Sequence, residues 1–306
     1  MMRFLAAYVV KGRMQAIGVV AVTALLSLFL PPLSYLSGAT VALITLRMGL
    51  RQGLQLVFGA VLVVGLLALV LMQNPLAGAV FGLVLWLPVW ALAVSLRRTS
   101  SPARSVLLAT LLGMMLVFAL HAGVDDPAKW WNSFLHEALQ QAMAELDKAE
   151  QEQFSAGLAA MATMMTGIMA ATMSASLVGC LFLGRWWQAL LYNPGGFGEE
   201  FRRLRLGSSI AAAALLMVAV PFLFEAPLIM RDLVVVVMVP FAIQGLSVAH
   251  GLVKRSGAHS GWLIALYLLL LFTTGQAMVV LAFVGTVDNW FDFRTFFGPK
   301  GGADDS

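Results

Sequence analysis

Apolar residues occupy nine blocks of this chain, at 15–30, 33–46, 53–72, 76–96, 105–121, 154–183, 206–224, 233–251 and 262–287. Most approach the ~20 residues that a helix needs to cross the hydrocarbon core of a bilayer. The pattern predicts an all-α, polytopic transmembrane helical bundle of eight to nine membrane segments, forming one integral membrane domain over 1–306. Pro31 and Pro32 stop the first block, because neither supplies an amide hydrogen and each ring clashes with the preceding turn. Gln73-Asn74-Pro75 turns the chain between the third and fourth blocks. The short second block is either a span or a re-entrant element. The apolar run Phe4 to Val10 is too short to span, and residues 1–13 read as a cytoplasmic or interfacial lead-in to an uncleaved signal anchor.

Only one stretch, 122–153, is both long and polar. Asp126 is placed to cap a helix with Pro127 at its first position. Trp131, Phe134, Leu135, Leu139, Met143 and Leu146 then recur every three or four residues, with Glu137, Gln141, Glu145, Lys148 and Glu152 opposite. This spacing predicts an amphipathic helical insertion of about six or seven turns outside the membrane. Residues 288–306 are expected to form a short tail.

Composition agrees with lipid as the solvent: 60% of the 306 residues are apolar and 11% charged, against ~25% charged in soluble domains. The charges also sort by side. With the N-terminus cytoplasmic and nine alternating crossings, 14 of the 19 Lys and Arg fall inside, accompanied there only by Glu199 and Glu200. Cationic loops are retained in the cytoplasm during insertion, so the asymmetry supports that orientation and places the C-terminus outside. The same clustering between apolar runs argues against nucleic acid as the partner of this basic chain.

Candidate chemistry is sparse. One cysteine and four histidines make neither a disulfide nor a recognisable zinc site. There is no nucleophile elbow, paired carboxylate or nucleotide-binding glycine motif, so neither a catalytic residue, a metal site nor a cofactor is expected. In the sixth block Met161, Met165, Met169 and Met173 form a ridge beside Thr163, Gly167, Ala171, Ala175 and Gly179. Small ridges allow close helix packing in lipid, and thioethers fill irregular gaps or line adaptable pockets. Met165 and Met169, with Gln244 and Gln276 as neutral polar groups inside apolar blocks, are the candidates for a ligand pocket or for packing. The basic loop containing Gly195, Gly196, Arg202 and Arg203, and the outer aromatic residues Trp131 and Phe134, are candidates for docking a membrane or cytoplasmic protein partner.

The short second block followed by Leu46-Arg47-Met48-Gly49-Leu50-Arg51-Gln52-Gly53, the long outer insertion, Ile243-Gln244-Gly245-Leu246, and the ending Gly285-Thr286-Val287-Asp288-Asn289-Trp290-Phe291-Asp292-Phe293-Arg294 resemble the YybS-like family of bacterial polytopic membrane proteins. That family is similar to the substrate-binding S components of energy-coupling-factor transporters. The resemblance implies a bacterial inner-membrane bundle holding a small solute in a vitamin-sized pocket, here expected beneath the outer segment. The alternative is a non-enzymatic scaffold.

Overall fold

The computed structural model describes residues 2–259 and 261–296. It is all-α, and among the described residues there is no strand. A short interfacial helix α1 (Met2–Val9) buries Ala6 and Val9 and exposes Phe4. Then follow α2 (Arg13–Leu26), α3 (Leu33–Met48) and α4 (Leu50–Met72). Next, α5 (Leu76–Phe81) passes through a π-helical turn (Gly82–Trp86) into α6 (Leu87–Thr99). Pro88 lacks the amide that would continue the α ladder, which accounts for the wider turn just before it.

Helix α7 (Pro102–Gly123) starts at the Ser101 cap, whose hydroxyl accepts from the Arg104 amide. Helix α8 (Pro127–Ala138) starts as its sequence predicts, with Asp126 accepting from the Lys129 amide at 3.0 Å. The rest of the predicted insertion differs. A short α9 (Gln140–Ala144) follows, and a capping box of Asp147 and Glu150 then opens α10 (Lys148–Tyr192). Thus 148–152 belong to a 45-residue helix about 67 Å long, which contains the sixth apolar block and projects past it at both ends. The apolar face of α8 needs a partner, and the projecting turns of α10 supply it: Trp131 and Leu135 bury against Leu158 and Ala162.

The chain closes with α11 (Gly196–Arg202), α12 (Ser208–Leu223), α13 (Leu228–Ser256), α14 (Gly261–Phe272), α15 (Thr274–Phe291) and α16 (Phe293–Phe296). Five apolar segments are long enough to cross a membrane, at 50–71, 76–99, 102–123, 148–192 and 228–256, and four shorter apolar helices accompany them. Helix α3 is one of the short ones and is enclosed on all sides: every residue from Ser37 to Leu46 is buried. It runs parallel to α10, with Gly184 set against Ala39, Ala42 and Leu43, and Tyr35 hydrogen-bonded to Ser176.

The ninth apolar block is two helices rather than one crossing. At Thr273 the backbone leaves the helix (φ −129°, ψ 45°), and the hydroxyls of Thr273 and Thr274 donate to the carbonyls of Leu269 and Leu270, each at 2.8 Å. Side-chain bonds of this kind satisfy carbonyls at a helix end. Helix α15 then runs parallel to α13: Gly285 sits between Phe241 and Gly245, Asp288 reaches Gln244, and Arg294 lies beside Gly251. An ideal Cβ on Gly245 or Gly285 would stand 2.0 Å from a backbone carbonyl of the other helix. Only glycine permits that approach.

This hairpin corrects the expected side of the C-terminus. Arg255 donates to the carbonyl of Arg294, Arg294 donates to the carbonyls of Arg202 and Leu204, and Arg205 donates to that of Asp288. The described C-terminal residues therefore lie at the same end of the bundle as the basic loop, not opposite it. Asp288 and Asp292, counted outside from the sequence, are counterions of the basic end. Among the described residues, Lys129, Lys148 and Arg231 are the cations left at the other end.

Candidate functional site

A cavity of about 900 Å³ opens at the basic end between α10, α11, α13, α14 and α15, toward the upper part of the range usual for small-molecule sites. Its depth is apolar. Ala175, Val178, Gly179 and Phe182 come from α10, Val239, Ala242, Ile243 and Leu246 from α13, and Leu270, Met278 and Leu281 from the hairpin. The small residues of α10 thus have two uses. Gly167, Gly179 and Gly184 admit neighbouring elements, Gly179 lying against the Tyr35 ring of α3, whereas Ala175 leaves room for the cavity.

Helix α11 forms the mouth. Arg185 on α10 clamps it by a paired contact to the Glu200 carboxylate, with Nε donating to Oε2 at 3.0 Å. This brings Phe197 and Phe201 against Phe182, with ring centroids 5.6 and 5.7 Å apart, and sets Phe201 edge-on to His250 at 5.4 Å. The His250 Nδ1–H donates to the Leu246 carbonyl (3.0 Å), and Nε2 shares a hydrogen bond with the Tyr267 hydroxyl at 3.3 Å. Glu199, Arg202 and Lys254 complete the mouth. Among the described residues, neither Arg202 nor Lys254 has a side-chain hydrogen bond or ion pair.

Two buried polar networks lie outside the cavity. At the far end Asp232, 3% exposed, contacts His121 and accepts from the Gly167 amide. The Trp131 indole donates nearby to Thr166 at 2.9 Å. At the basic end, fully buried Asp288 accepts from Gln244 Nε2 at 3.0 Å and Arg294 at 3.1 Å, while Gln244 Oε1 accepts the Leu206 amide. Burial pushes the Arg294 guanidinium below its usual range, and the Asp288 carboxylate opposes that shift.

The candidates read from sequence are scattered across this arrangement. Met165 and Met169 pack beneath α8 with Trp131 and Leu135. Gln244 is fully buried but spends both ends of its amide in the Asp288 network. Gln276, expected to be a buried polar group, is exposed in the first turn of α15. Gly195 and Arg202 line the cavity, and Gly196 donates its amide to the carbonyl of Asn193. Arg203 is exposed. Trp131 is buried, whereas Phe134 is 50% exposed and stacks on Trp130 at 6.1 Å.

The sequence pattern sets His250 at the end of the eighth apolar block, in a solvated or helix-capping position, and points to neither Tyr267 nor Lys254. Tyr267 carried the one available signal, a phenol within the ninth apolar block.

These features define an integral membrane protein built as an all-α helical bundle. The chain belongs to the family described as Predicted membrane protein (DUF2232), whose model matches residues 18–289. No curated protein and no solved structure matches it.

Proposed function

We propose that this protein is a non-enzymatic, transporter-type solute-binding protein of a bacterial cytoplasmic membrane, comparable in role to an S component. Its N-terminus and basic end face the cytoplasm on this reading. The observation that supports it is the cavity between α10 and α14, apolar in depth and polar at the mouth. The cationic bias of the same end supports the orientation. The contact between α8 and α10 is filled by Trp131, Leu135, Met165 and Met169, so the solute site is assigned to the basic end and not beneath the outer helix.

The exposed, stacked pair Trp130 and Phe134 favours a second reading, in which α8 docks a protein partner. Native mass spectrometry of the detergent-solubilised protein separates the two. A small molecule retained by the wild type and displaced in Ala242→Trp, which fills the cavity, supports solute binding. A ligand-free chain carrying a stoichiometric protein partner overturns it.

A further inference from the structure

We propose that the cavity takes an anionic amphiphile, its phosphate or carboxylate head at Arg202 and Lys254 and its alkyl tail among Phe182, Ile243 and Leu270. This inference rests on the solute-binding reading above and names the chemistry of the solute.

The charges at the basic end carry the argument. Arg185 is paired with Glu200, Arg205 with Asp288 and Asp292, and Arg294 with Asp288, while Arg255 donates to the Arg294 carbonyl. Arg202 and Lys254, both on the cavity wall, have no such partner among the described residues. Glu199 is the one acid among the described residues of that wall, against the two cations. The mouth therefore carries a net positive charge.

Beyond His250 and Tyr267 the polarity stops. Every deeper lining residue, from Ala175 to Phe182 on α10, from Val239 to Leu246 on the α13 wall, and Leu270, Met278 and Leu281, is apolar. A water-soluble polar solute would lose its hydrogen bonds there without replacement. An alkyl tail loses none. A cationic rim above an apolar trough also matches the depth profile of a lipid, with the head at the interface and the tail in the hydrocarbon.

Helix α14 gives the tail a route. None of its residues is buried: Tyr267 and Leu270 face the cavity, while Trp262, Ile264, Leu271 and Phe272 are exposed on its other surfaces. Gly257 (φ +66°) and the Thr273 break bound this wall, which meets the bundle through Leu266, Tyr267 and Leu270. Two sources fit the chemistry, a bilayer phospholipid and a free single-chain lipid phosphate.

The test uses the full chain with dodecyl phosphate, inorganic phosphate and dodecanol as probes, read by thermal melting. Saturable stabilisation by dodecyl phosphate alone is expected, with Kd raised about tenfold or more in an Arg202→Gln, Lys254→Gln variant. Ile243→Trp is expected to abolish it. Independently of variant folding, a brominated dodecyl phosphate is expected to quench wild-type tryptophan fluorescence, and less so in Trp186→Phe.

Nanodiscs containing phosphatidylglycerol then identify the source. Retention of that lipid in native mass spectra points to the bilayer, and retention of added dodecyl phosphate alone points to a free amphiphile. Either supports the proposal. An equal response to dodecanol, or an unchanged Kd in the double variant, overturns the anionic head while leaving solute binding intact. Binding of no probe, with no co-purifying molecule, overturns both.

Discussion

Nε2 of His121, near the end of α7, lies 2.7 Å from Oδ2 of Asp232, one turn into α13, although 111 residues separate them. The other carboxylate oxygen accepts the Gly167 amide of α10 at 2.9 Å. One side chain therefore ties three helices together at the end remote from the cavity. Asp232→Ala removes an interaction from each neighbour and leaves His121 unpaired. A loss of about 3 kcal/mol is expected, with a smaller loss for Asp232→Asn, whose amide oxygen still accepts from Gly167. Thermal melts in one detergent compare them. Equal losses would show that the side chain only fills space.

Gly245 and Gly285 set the spacing of α13 and α15. Gly245→Ala or Gly285→Ala forces a methyl group to 2.0 Å from a carbonyl of the facing helix. The backbones must separate, and each variant should lose about 3 kcal/mol. Gly275→Ala, with nothing within 4 Å of the new methyl, should leave the melting temperature unchanged or slightly raised. Similar melting temperatures for all three would contradict the parallel packing.

Membrane sidedness tests the hairpin directly. In a Cys180→Ala background, Thr295→Cys and Arg203→Cys should share one accessibility to an impermeant thiol reagent, and Asp125→Cys the opposite one. If Thr295→Cys labels with Asp125→Cys, the ninth block crosses once and the structure of this region fails.

At the start of α8 the sign of a pH effect is fixed. The Lys129 amide and ammonium, both hydrogen-bonded to Asp126, hold its carboxyl below the ordinary 3.8. A depressed carboxylate pKa means that the cap contributes fully above the unfolded value and is lost as pH falls through the lowered one. The protection factors of the Trp130 and Trp131 amides, taken against intrinsic exchange at each pH, should hold from neutral pH down to the ordinary carboxylate range and fall below it. Asp126→Asn should flatten that dependence while keeping the cap. Asp126→Ala should exchange faster at every pH.

These elements divide by what made them readable. The start of α8 was visible because capping is local: an acceptor, a proline and an apolar period lie within a few residues of one another. The extension of α10 over 148–152 was not, because Lys148, Glu150 and Glu152 are as compatible with a solvated helix as with the projecting end of a membrane helix. Met165 and Met169 illustrate the same limit in the candidate site. Their spacing identified one face of a helix, and only the position of α8 showed what that face touches.

The amino-acid sequence by itself determined that the chain is helical and lives in lipid, since both follow from the length and apolar content of local segments. It also determined which loops are basic. The tertiary structure alone decided that the ninth apolar block folds back, because a 26-residue, mainly apolar segment suits one tilted helix as well as a hairpin. The outcome depends on Gly245 and Gly285 admitting a close parallel contact and on Asp288 finding Gln244, Arg205 and Arg294. The cavity has the same origin: it is a space between helices distant in sequence, and only the fold places the unpartnered Arg202 and Lys254 together on its wall.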